Sequence, residues 1–153
     1  MIDNIMKKFL CVILCILFCF PAWGAPQKWL KYVNDRFGYS IEYPDFFTEQ
    51  AESANGDGIW LKSKDGRISL TLSGGFNVLM QDGHDILDGR ETDNVVKKDS
   101  GSTWFRLVSY DEDRIIHEYG AVNEDNWASF TFSYPNTENF DTLIRHMEQS
   151  LSL

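Results

Sequence analysis

A chain of 153 residues with 14 basic and 23 acidic side chains, net charge −9, has the length of one domain plus a leader. Such an acidic balance repels phosphate backbones and anionic lipid, which excludes nucleic acid as an expected partner. All three cysteines fall before residue 20, so the rest of the chain holds neither a disulfide nor a thiolate metal site.

Lys7 and Lys8 precede an apolar run over residues 9–20, followed by Pro21 and the stretch Ala22-Trp23-Gly24-Ala25. A basic region, a short apolar run and a small-x-small site are the parts of a secretory signal. Ala22 and Gly24 fit the cleavage positions, which predicts a signal peptide over 1–24 and one domain over 25–153. At about 1.5 Å per residue the apolar run reaches about 18 Å, against about 30 Å of hydrocarbon, so no stable membrane span is expected after cleavage. Cys11, Cys15 and Cys19 lie inside this run, and Phe18 is not the small residue that a lipoprotein signal needs before its cysteine. Cleavage removes Lys7, Lys8 and Asp3, leaving 12 basic against 22 acidic residues, net −10. The expected location is periplasmic or secreted.

In the domain, residues 30–34 and 39–43 flank the turn Asp35-Arg36-Phe37-Gly38, with Tyr39, Ile41 and Tyr43 on one face of the second strand. Pro44 ends that strand, because it cannot donate to a ladder. Residues 58–63 and 67–74 flank Lys64-Asp65-Gly66, a strong hairpin signal, and Ile68, Leu70 and Leu72 make an apolar face. The stretch 76–94 is poorly patterned, with a short helix expected over 85–91. Strands follow over 95–99, 103–110, 114–122 and 127–134, joined by short polar turns and so expected to pair antiparallel. The strand over 114–122 is apolar on both sides, Ile115 and Tyr119 on one, Ile116 and Val122 on the other, which a sheet with one wet face does not write. Phe140, Leu143, Ile144, Met147 and Leu151 form the apolar stripe of a C-terminal helix that packs on the sheet.

The run YVNDRFGYSIEYP over 32–44 resembles the opening of PsbP-like domains, and FTFSYP over 130–135 with the helix after it resembles their ending. Between them, NGDG over 55–58 and STWF over 102–105 look like segments of exported bacterial proteins with this layout. The likeness spans essentially the whole mature chain and implies an α+β fold, an antiparallel sheet covered by helices on both faces as an α/β/α sandwich. The family includes non-catalytic accessory subunits of photosystem II. The photosynthetic role is not carried over, since fold does not fix function.

Candidate site residues are few. Asn55 and Asp57, in a glycine-rich loop, can contact a ligand, although glycine with Asn or Asp is also what a tight turn requires. Trp60 shares its face with Lys62, and Trp127 shares its face with Ser129, Thr131 and Ser133, which suggests the wetter side of the sheet, where tryptophan can anchor a partner. Cover by a flanking loop or by the short helix expected over 85–91 is the plain alternative for both. Glu118 cannot orient His117, because adjacent strand residues point to opposite faces. The acidic runs 111–113 and 123–125 lack the ligand spacing of a calcium loop and are expected to be hairpin tips. Three dispersed histidines make no zinc site, and no cofactor fingerprint is present. The reading is a non-catalytic periplasmic binding or accessory module with a periplasmic protein as partner. The alternatives are a small hydrolase pairing Asp57 with His84, or an acidic inhibitor or immunity protein.

Overall fold

Turn chemistry sets the local pairing. Between β4 (Gly58–Ser63) and β5 (Ser69–Phe76), the Asp65 carboxylate accepts hydrogen bonds from Ser63 Oγ at 2.7 Å and from the Arg67 amide at 3.1 Å, while Gly66 takes φ of 72°. Only glycine adopts that conformation without strain, as the hairpin signal requires. The computed structural model describes residues 26–153; the expected signal peptide lies outside the described residues.

Seven strands form one antiparallel sheet in the order β3-β4-β5-β9-β8-β7-β6, where β3 is Phe47–Glu52, β6 Val95–Gly101, β7 Trp104–Asp111, β8 Arg114–Val122 and β9 Asn126–Pro135. A separate two-stranded sheet pairs β1 (Trp29–Asn34) with β2 (Tyr39–Pro44). There are two short helices, α1 (Gly83–Asp88) and α2 (Asp141–Ser150).

One face of the large sheet carries the main core. Leu70 and Leu72 of β5 stand beside Phe132 and Phe130 of β9, and all four are essentially inaccessible. The β1–β2 hairpin lays Tyr39, Ile41 and Tyr43 toward this layer, as their alternation predicts, and α2 adds Ile144 and Met147. After α2 the chain turns back, and Ser152 exchanges two backbone hydrogen bonds with Ser40. At Gly58 an added Cβ would sit 1.8 Å from the Leu72 carbonyl oxygen, so the approach of β4 to β5 needs glycine there.

The second face is divided. Phe105 and Leu107 of β7 are buried with Leu87 of α1. Toward β4, β5 and β9 the same face presents Trp60, Thr71, Ser73 and Thr131, with no helix over them. The expected helical cover of both faces therefore holds only in part. The hairpin shares the first face with one helix, and a six-residue helix covers one end of the second. The cause is in the residues: β5 and β9 alternate apolar with Ser and Thr, whereas β7 and β8 carry apolar groups on both sides. Val122 is buried and Ile116 half-buried.

Candidate functional site

The residues 77–81 join β5 to α1 and form the most conspicuous apolar surface of the described chain. Val78, Leu79 and Met80 are 81%, 74% and 80% exposed, and Phe76 before them is 56% exposed. This is no loose strand end. Buried Asn77 donates its amide to the Asp125 carbonyl at 2.7 Å and its side-chain nitrogen to the carbonyls of Gln81 and Asn123, both at 2.8 Å. Its side-chain oxygen accepts from the Gln81 amide at 2.9 Å, and its carbonyl accepts from the Met80 amide at 3.0 Å. One asparagine thus closes the loop on itself and ties it to the β8–β9 turn.

Two further contacts fix the base. Phe76 meets Phe37 of the hairpin turn edge-on, with ring centroids 5.0 Å apart. Trp127 pairs with Gly75, and a Cβ on Gly75 would lie 2.9 Å from the indole nitrogen, so the ring lies directly on that glycine. Met80 has φ of 52°, a left-handed conformation that costs a non-glycine residue roughly 1–3 kcal/mol and persists only where its surroundings impose it. Beside the tip is a cleft of about 450 Å³ lined by Met80, Val122 and Thr103, with Asp82 and Glu124 at its edge. No basic side chain lines it.

The residues singled out by sequence divide between two places. Asn55 and Asp57 meet in the β3–β4 turn, where Asn55 Nδ2 donates to Asp57 Oδ2 at 2.9 Å. Arg36 donates to the Asn55 carbonyl, Ser53 Oγ accepts from the Asp57 amide at 2.9 Å, and Tyr39 donates to the Asp57 carbonyl at 2.8 Å. The Asp57 carboxyl is held below its ordinary range, chiefly by hydrogen bonding from Ser53. These contacts bind the turn to the N-terminal hairpin. Trp60 stands on the open half of the second face, 38% exposed, with the Lys62 ammonium 5.7 Å from its ring centre. Trp127 shares that face but is half-buried, in contact with the surroundings of Gln81, Ile86 and Arg90. Trp60 and Trp127 lie two strands across and four residues along, so they form no single contact point.

Asp57 and His84 are not brought together. His84 bonds Ser100 of β6 at 2.8 Å, while Asp57 precedes β4 at the other side of the sheet, five strand steps or about 24 Å away. His117 and Glu118 take opposite faces as expected: His117 Nε2 is 3.0 Å from Glu148 of α2, and Glu118 pairs with Arg90 at 2.8 Å. The loop tip escaped the sequence reading. Its signal is a run of three large apolar residues, Val78 to Met80, between polar turn formers and outside any periodic pattern.

No family model and no curated protein matches the chain. Among solved structures, the solution structure of a cyanobacterial PsbP (CyanoP) from Synechocystis superposes with a TM-score of 0.58 at 12% identity, over 90% of this chain and 99% of that one. The fold is PsbP-like. A crystal structure from Bacteroides thetaiotaomicron also matches, with a TM-score of 0.55 at 14% identity over 80% of this chain. The match spans 47% of that longer protein. At these identities the PsbP-like likeness concerns the backbone arrangement alone. Among the described residues, no helix is long and apolar enough to cross a membrane.

Proposed function

We propose that this PsbP-like domain is a non-catalytic accessory module, exported behind its N-terminal leader, that docks a periplasmic or secreted protein through the loop 77–81. One observation carries the reading: three large apolar side chains are more than 70% exposed on a turn that Asn77 holds rigid. Full burial of such a side chain is worth roughly 1.5–3 kcal/mol. A preformed turn avoids the ordering cost that a mobile loop would incur on binding.

The neighbouring charge favours a protein over a bilayer. Asp82, Glu124 and Asp125 adjoin the tip, on a mature chain of net charge −10, and this is repelled by anionic lipid. The complementary partner has an apolar pocket with a basic rim. Trp127 serves as the platform beneath the loop, Trp60 extends the surface along the open half-face, and Asn55 with Asp57 braces the adjoining hairpin.

The test is affinity capture of the partner by the wild-type chain and by Leu79→Asp. The substitution changes a side chain that is 74% exposed, so the thermal midpoint should stay put while affinity falls at least tenfold, about 1.4 kcal/mol. Equal capture by both proteins, or binding to anionic vesicles that outcompetes the protein partner, contradicts the reading.

A further inference from the structure

A second cleft, at the opposite end of β9 from the loop, has the makings of a ligand site. α2 is ten residues long, about 15 Å, whereas seven strands span about 29 Å, so one helix and one hairpin cannot cover the whole face. The flank over β8, β7 and β6 is left as a cleft of about 500 Å³, within the roughly 300–1,000 Å³ of small-molecule sites.

Its centre is built from charged groups that hold one another. Glu148 of α2 accepts from Arg106 Nε at 2.8 Å and Nη2 at 2.7 Å, a two-point pair, and lies 3.0 Å from His117 Nε2. The Arg106 guanidinium also lies over Trp104 and Tyr119, 5.4 and 5.6 Å from the ring centres. Glu148 is thereby fully engaged. Arg145, three residues before it on α2, and Lys97 on β6 line the same cleft and have no carboxylate within 4.0 Å among the described residues. Asp141 is the one other acid in the lining. Asp99 lies 3.7 Å from Arg106 at the margin, so the charges nearly balance, and Arg145 and Lys97 are the cations of the lining without a close carboxylate.

Tyr134 adds a polar group to the lining. The residue as a whole is only 5% exposed and lines the cleft, and its hydroxyl, which is not among the buried unpartnered atoms, makes no hydrogen bond to any described residue. Burial raises its pKa, and the charges of Asp141 and Tyr110 raise it further, which sets the hydroxyl among groups of the same lining. The ring is buried while the hydroxyl opens to the cleft, where a guest can reach it. The remaining lining is apolar: Val96, Val108, Ile115 and Ile144.

We propose that this cleft binds a small organic monoanion with an apolar body. The anionic head meets Arg145 and Lys97, the Tyr134 hydroxyl donates to it, and the body rests on Val108, Ile115 and Ile144. The site is separate from the docking loop, since Tyr134 and Asn126 are eight residues apart along β9, roughly 27 Å.

Titration of the chain with octanoate, followed by NMR shifts of the cleft residues, tests the idea. Saturable binding is expected, at least tenfold tighter than that of octylamine or octanol. Arg145→Gln with Lys97→Gln should weaken octanoate at least tenfold, and Tyr134→Phe several-fold with the fold intact. Leu79→Asp should leave it unchanged, which separates this site from the docking reading. Binding of octylamine or octanol as tight as that of octanoate, or shifts that never saturate, overturns the proposal.

Discussion

Glu148 is under opposing pressures. Burial pushes its carboxyl up, but hydrogen bonds from His117 and Arg106 and the charge of Arg106 outweigh that and hold it at about 2, against an ordinary 4.5. A carboxyl whose folded pKa is depressed stabilises the fold above its unfolded value and loses that contribution as pH falls through its folded value. The window here runs from about 4.5 down to about 2, and the difference corresponds to about 3 kcal/mol. Glu118 works with the opposite sign: burial raises it, against the pull of Arg90, so its ionisation costs stability. A comparison of Glu148→Gln with wild type isolates the first effect. The variant should lose about 3 kcal/mol at neutral pH in urea unfolding, with the deficit closing toward pH 2. A deficit that stays constant over that range would mean the pair matters for shape rather than charge.

At the scale of elements, regular segments were legible wherever the side chains alternated. Tyr39, Ile41 and Tyr43 announced β2, Leu70 and Leu72 announced β5, and the stripe through Ile144 and Met147 announced α2. β3 was missed because Thr48 to Glu52 lies on a sheet edge, exposed throughout, with no buried face to write a pattern. Helix α1 begins at Gly83 rather than 85, since Asp82 supplies the cap, accepting from the amides of His84 and Asp85. The loop 77–81 was illegible for a different reason. Asn77 reads locally as a turn former, but its partners Asn123 and Asp125 come from a distant turn that only the fold delivers. Asn77→Ala removes the side-chain half of that clamp and leaves two carbonyls short of a donor. A loss of about 1–3 kcal/mol is expected, together with faster hydrogen exchange at the Gln81 amide. Unchanged exchange at Gln81 would show that the loop is held by something other than Asn77.

The molecule as a whole presents two different surfaces at the two ends of its sheet. At one end of the sheet an apolar tip projects among carboxylates; at the other a cleft gathers arginine, lysine and an unpartnered tyrosine. Nothing in the strand pattern alone separates these ends, because both depend on which turns and helices the topology brings alongside. Trp60 and Trp127 were identified from their polar neighbours and do share the second face, yet the most exposed surface lies beyond them, where periodicity stops. An acidic rim implies that partner capture weakens as salt rises, through a slower encounter. The most direct test of docking is a photo-crosslinking side chain at position 79, with position 64 at the tip of the β4–β5 hairpin as control. One discrete adduct to a protein with a basic surface, from position 79 and not from 64, is the expected result. Adducts of equal yield from both positions, or none from 79, would contradict a docking role for the loop.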